Sequence, residues 1–284
     1  MSSTSLVSRR NGAAAAKPIG VFDSGVGGLT VLRALRAALP HEHFIYLGDT
    51  ARLPYGTKSP ETVLKYSVQA AQLLAGRGVK HVVIACNTAS AVALETLRER
   101  LSVPVIGVVE PGAQAACAAS RSGCIAVLAT EGVVRGGAYQ RAIARLRPEA
   151  KVYARACSVF VALAEEGWTH GAVAQLAAHR YLDDLAQHDP APDTLLLGCT
   201  HFPVLADTLH RVVGDHVEIV DSARTTAAAL VQELTARGLR NESTTPGSVA
   251  LLATDGAERF AAVGARFLNE HVDAAQVELV DLRM

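Results

Sequence analysis

The sequence has little of what would mark it as anything other than an ordinary globular protein. Among 284 residues there are five cysteines, Cys86, Cys117, Cys124, Cys157 and Cys199, an odd number with no Cys-x-x-Cys pair. That pattern argues against a zinc ribbon or a disulfide framework, so the cysteines read as free thiols in a reducing, cytoplasmic compartment. An excess of one charge is also missing, since 27 basic residues balance 27 acidic ones. Proteins that bind nucleic acid or anionic membrane usually carry a basic surplus, so neither is expected as a partner. No apolar run approaches the ~20 residues that cross a bilayer. Residues 1–17 are rich in Ser, Arg and Ala, and the Arg9-Arg10 pair is followed by no hydrophobic stretch. They read as a disordered tail without a targeting role.

What the sequence does have is alternation. Short β-branched runs, from Ile19–Phe22 and Phe44–Leu47 to Val249–Leu252 and Val277–Val280, recur ten times between helical patterns. Ser59-Pro60 supplies an N-cap and a first-turn proline to a helix over Glu61–Ala75, and Gly76 and Gly78 stop it. Continuously apolar strands separated by helices imply parallel sheets covered on both faces, a doubly wound α/β fold. The pattern also repeats. Ile19-Gly20-Val21-Phe22-Asp23 is echoed by Ile125-Ala126-Val127-Leu128-Ala129, and Val83-Ile84-Ala85-Cys86 by Leu196-Leu197-Gly198-Cys199. Val108-Val109-Glu110 is likewise echoed by Ile219-Val220-Asp221. Three pairs in one order at nearly constant offset predict two pseudo-symmetric lobes with a cleft between them. The expected lobes are 18–108 plus 222–284, and 109–221.

In open α/β sheets, ligands bind beyond the carboxyl ends of the strands. Cys86 and Cys199 both stand at such ends, each followed by polar residues and an expected helix. A helix N-terminus favours the thiolate and draws the thiol pKa toward neutrality. A lone free cysteine is as often a small inert hydrophobe, but two in matching positions of matching halves suggest chemistry. Inverting a stereocentre needs a base on one face of the carbon and an acid on the other, and two facing thiols can exchange those roles. Such a reaction needs no cofactor and no metal. The loop Asp23-Ser24-Gly25-Val26-Gly27-Gly28 lacks the third glycine of a dinucleotide fingerprint, and it reads instead as a backbone cradle for a small anion. Asp23 would steer a substrate ammonium, assist a thiol or cap the helix. His201 is placed to relay protons, and the hydroxyls of Tyr55 and Thr57 could reach the crevice. His41 and His43 read as a solvated helix end, Cys157 as core.

Four segments together, Asp23 to Leu29, Pro54-Tyr55-Gly56, Ala85-Cys86-Asn87-Thr88-Ala89 and Gly198-Cys199-Thr200-His201-Phe202-Pro203, resemble glutamate racemase in family order. The resemblance implies interconversion of L- and D-glutamate for peptidoglycan, with Cys86 and Cys199 as acid/base thiols. Asp23, His201 and Glu165 would assist. Substrate contacts would come from Asp23, Ser24, Tyr55, Gly56, Asn87, Thr88, Thr130, Thr200 and His201. Val133 stands where the family usually has a second Thr, and Ser158 where many members have Pro. The resemblance further implies a homodimer and an activating cell-wall precursor. The alternatives are a racemase for aspartate or another acidic amino acid, and a non-enzymatic binding protein on the same fold.

Overall fold

The apolar runs do form strands. The structure, a computed structural model, describes residues 14–282. Within them the strands are β1 (Ile19–Asp23), β2 (Phe44–Gly48), β3 (His81–Ile84), β4 (Val105–Gly107), β5 (Cys124–Ala129), β6 (Lys151–Ala156), β7 (Thr194–Gly198), β8 (Glu218–Asp221), β9 (Val249–Ala253) and β10 (Val277–Leu279). Most of the expected tail, residues 1–13, lies outside the described residues. Ala14 to Lys17 form a turn closed by the Lys17 N–H on the Ala14 carbonyl, with Ala15 buried.

Two parallel sheets result, in the orders β10-β9-β2-β1-β3-β4 and β6-β5-β7-β8. The shared core order is the repeat made visible: β2-β1-β3-β4 corresponds strand for strand to β6-β5-β7-β8. On this strand membership we propose lobe limits at 18–108 with 222–284, and at 109–221.

Side chains alternate along each strand, which explains why these runs are apolar throughout. In the first sheet Val21, Tyr46 and Val83 enter one core, while Phe22, Leu47 and Ile84 enter another on the opposite face. In the second sheet Leu128, Leu195 and Leu197 face one way and Val127, Ala129 and Leu196 the other. The helix Pro60–Gly76 starts as its sequence predicts, with Ser59 Oγ accepting from the Thr62 N–H at 3.3 Å and Pro60 in the first turn. Gly78, at φ +76°, lies just beyond its end. The chain crosses between the sheets after β4 and again after β8, each time directly into a helix, Val109–Ala119 and Ser222–Ala236. The carboxyl ends of β1, β3, β5 and β7 therefore converge on one cleft.

Candidate active site

Cys86 follows β3 and caps the helix Asn87–Arg100, its sulfur accepting from the Ala89 N–H at 3.5 Å and facing Ser24 Oγ at 3.5 Å. The expected fall of its pKa toward neutrality is not what this site produces. Burial pushes the thiol up to about 12 and the Asp23 carboxylate adds to the rise, against the opposing hydrogen bonds of Ser24 and Ala89. One helix N-terminus is outweighed by desolvation and a neighbouring anion.

Cys199 follows β7, but no α-helix starts there; a short 3₁₀ turn, Phe202–Leu205, intervenes. Its sulfur lies 3.9 Å from His201 Nδ1, and His201 Nε2 lies 3.2 Å from Glu165 Oε1. Burial by itself would lower the His201 pKa, yet the hydrogen bonds with Cys199 and Glu165 and the charge of Asp23 raise it to about 10. Glu165 is held below the usual range by the same His201 contact, burial opposing, with Arg259 assisting at 3.0 Å from Oε2. The two directions agree: His201 is an imidazolium and Glu165 its counter-ion. Thus two cysteines in equivalent positions have unlike neighbours. One is a protonated thiol with a carboxylate behind it, and the other has a cation beside it.

Both sulfurs line one cavity of about 310 Å³, at the small end for ligand pockets and suited to an amino acid. Ser24, Tyr55, Gly56, Asn87, Thr88, Thr130, Glu165, Thr200 and His201 share the wall. Asp23 alone of the expected site residues does not; it is fully buried behind Ser24, with Oδ2 accepting from the Gly25 N–H at 2.9 Å and Oδ1 unpartnered. Burial raises its pKa despite His201 and three backbone donors. Its position is that of a group acting through its neighbours. Thr88 and Thr130 meet across the lobes, Oγ1 to Oγ1, at 3.0 Å. The Tyr55 hydroxyl is not free for the crevice, because it donates to the Asp49 carboxylate. Val133 is buried in the second lobe's core, away from the cavity wall, whereas Ser158 lines it.

The glycine loop also behaves differently from a simple anion cradle. A Cβ on Gly27 would fall 2.4 Å from His201 Nδ1 and 2.5 Å from Thr200 Oγ1. The missing side chain lets the opposite lobe's imidazole come close, and only Ser24 of this loop lines the cavity. His41 and His43 bond to the segment 245–248, far along the first sheet, and Cys157 is core. Among the described residues no cluster of three or more His, Cys, Asp or Glu is arranged to hold a metal ion.

Several partners of the site escaped the sequence. The helix Ala257–Leu268 sends Arg259 to Glu165 and packs the Phe267 ring edge-on to His201 at 5.1 Å. Arg266 donates to the Glu165 carbonyl. The Tyr139 hydroxyl donates to Asn87 Oδ1 at 2.6 Å, and the Thr30 hydroxyl to the Thr200 carbonyl at 2.8 Å. All lie outside the motifs, Thr30 by one residue at the start of the helix Leu29–Ala38. No local pattern announces them.

Comparison with known proteins bears on this geometry. Residues 20–230 match the Asp/Glu/Hydantoin racemase family. A glutamate racemase of Geobacter metallireducens is 50% identical over 93% of this chain and 97% of its own. The crystal structure of glutamate racemase from Thermus thermophilus with β-chloro-D-alanine superposes with a TM-score of 0.85, at 43% identity over 94% of this chain and 98% of that one. The Escherichia coli enzyme in complex with L-glutamate and the activator UDP-MurNAc-ala gives 0.71, at 33% identity over 88% and 95%.

Proposed function

The chain belongs to the Asp/Glu/hydantoin racemase family and acts as a glutamate racemase, and we propose that it inverts the α-carbon between the thiols of Cys86 and Cys199. The observation that carries this mechanism is that two sulfurs, delivered by the carboxyl ends of two different sheets, line one small cavity. In one direction the Cys199 sulfur, as thiolate beside the His201 cation, takes the α-proton. The Cys86 thiol then gives its own proton to the opposite face. The turn ends with the charge on Cys86 and a proton on Cys199, which is the starting state for the mirror-image substrate. Asp23 keeps Cys86 protonated until the carbanion forms. Hydroxyl and amide groups of Ser24, Asn87, Thr88, Thr130 and Thr200 hold the two carboxylates. The scheme uses no cofactor.

The test is racemisation of glutamate in deuterated buffer without pyridoxal phosphate. Optical inversion should proceed with solvent deuterium at the α-position, and Cys86→Ser or Cys199→Ser should lower turnover by at least roughly 10³-fold. Full turnover in either variant refutes the two-thiol scheme.

On the same reading, D-glutamate is delivered in the cytoplasm to peptidoglycan synthesis, and the protein works as a homodimer. No described helix is long and apolar enough to cross a membrane. The ligand of the E. coli relative supports a cell-wall precursor as activator here. Sedimentation gives the assembly state, and kcat with and without UDP-MurNAc-ala gives the activation; a monomer, or an unmoved kcat, removes the respective proposal.

A further inference from the structure

Asn87 lines the cavity one residue after Cys86, and it has a donor with nothing to bond. Its side chain is 2% exposed, and Nδ2 has no hydrogen-bond partner in the protein. A buried amide donor left unmatched is costly, so its acceptor belongs in the cleft. The other end of the amide is occupied. Oδ1 accepts from the hydroxyl of Tyr139, a residue of the helix Ala138–Leu146 in the opposite lobe.

Tyr139 is fully buried, and its ring runs through a slot made by two glycines. A Cβ on Gly198 would lie 2.7 Å from the ring, and one on Gly112 would lie 3.3 Å from ring and hydroxyl. Gly198 directly precedes Cys199, so one side chain links the base of each thiol. Turning the amide over would set the NH2 group against the phenolic O–H and leave that proton without the acceptor it has now. Burial holds the Tyr139 phenol far above its ordinary pKa, with Cys199 and Asp221 adding to the rise and Ser222 opposing it, so the hydroxyl keeps the proton it gives to Oδ1.

We infer that Tyr139 is a positioning residue for substrate. From the second lobe it fixes the Asn87 carboxamide of the first so that Nδ2 faces the cleft and binds a carboxylate oxygen of glutamate. This rests on the racemase reading above. It also makes the substrate's grip depend on both lobes being in register.

Tyr139→Phe keeps the ring in its slot and removes only the proton. Because a carboxylate contact serves ground state and transition state alike, KM for both enantiomers should rise roughly ten-fold while kcat stays within about two-fold. In an Asn87→Ala background the same change should add less than about two-fold. An unchanged KM, a loss confined to kcat, or a fully additive effect overturns the inference. If the variant fails to fold, the wild-type protein decides: the Asn87 side-chain amide resonances must shift when glutamate is added, and unmoved resonances overturn it. Absence of α-hydrogen exchange in the wild type would instead remove the racemase reading itself.

Discussion

Buried histidines ordinarily lose their proton, because burial penalises the charged form. His201 keeps its proton because Cys199 and Glu165 hydrogen-bond to it and Asp23 adds a nearby negative charge, which together hold its pKa at about 10 against burial. This makes Glu165 a charge-setting residue even though its own chemistry is silent. Glu165→Gln keeps the shape and a hydrogen bond but removes the anion. The sign follows directly: with one raising influence gone, the imidazolium releases its proton at a lower pH. The alkaline limb of kcat/KM should then move down by about one unit. The pH profile of the variant beside the wild type measures it, and a limb that stays in place shows that His201 does not limit the rate there. Cys86 obeys the same physics with opposite neighbours. Burial and Asp23 keep it a thiol, the state that the proposed proton-donor role requires.

Elements deliver these residues, and the sequence reveals elements better than contacts. The strands were legible because buried parallel strands are apolar on both faces, and Val21 with Phe22, or Val83 with Ile84, show both halves of that rule. The helix at Pro60 was legible because its cap lies within the local sequence. The role of Gly27 was not. Its glycine suggested a ligand, whereas the structure puts His201 and Thr200 of the other lobe against it, some 175 positions away in the chain. Gly27→Ala places a methyl group 2.4 Å from His201 Nδ1 and 2.5 Å from Cε1, so the imidazole has to leave its place beside Cys199. With His201 in the assisting role proposed for it, a displacement of that order should lower kcat/KM on the order of 10²-fold. Gly25→Ala, two residues away, meets only Leu53 Cδ2 at 3.5 Å, an ordinary contact, and should stay within about three-fold. Equal losses in the two variants would mean that the loop's flexibility matters and the His201 contact does not. Arg259, Phe267 and Tyr139 were hidden for the same reason as the Gly27 contact, since they reach the site through packing between distant elements. Cys86, Cys199 and His201 were visible because the strand-end pattern repeats around them.

At the scale of the whole molecule the two lobes share a four-strand core order, to which the first adds β9 and β10, but they do not share their charge. Each sheet presents a cysteine after its third strand in chain order, β3 or β7, and between them lies one cavity. In the proposed mechanism asymmetric neighbours need not give an asymmetric reaction, because each turnover exchanges the protonation states of the sulfurs. What the proposed pair of sulfurs on opposite faces does fix is where hydrogen isotopes go. Starting from one enantiomer in deuterated buffer, the sulfur that removes the protium lies on one face, and the sulfur that returns a hydron lies on the other and carries solvent deuterium. Deuterium should therefore appear in the product enantiomer from the first turnovers, while the remaining substrate stays protiated. A single base working on both faces would behave otherwise, since it could return its captured proton or an exchanged one to either side. Chiral separation followed by mass spectrometry at low conversion distinguishes the two. Deuterium entering recovered substrate as fast as product would mean that one thiol serves both faces, and the second cysteine would then need another explanation for its place in the cleft.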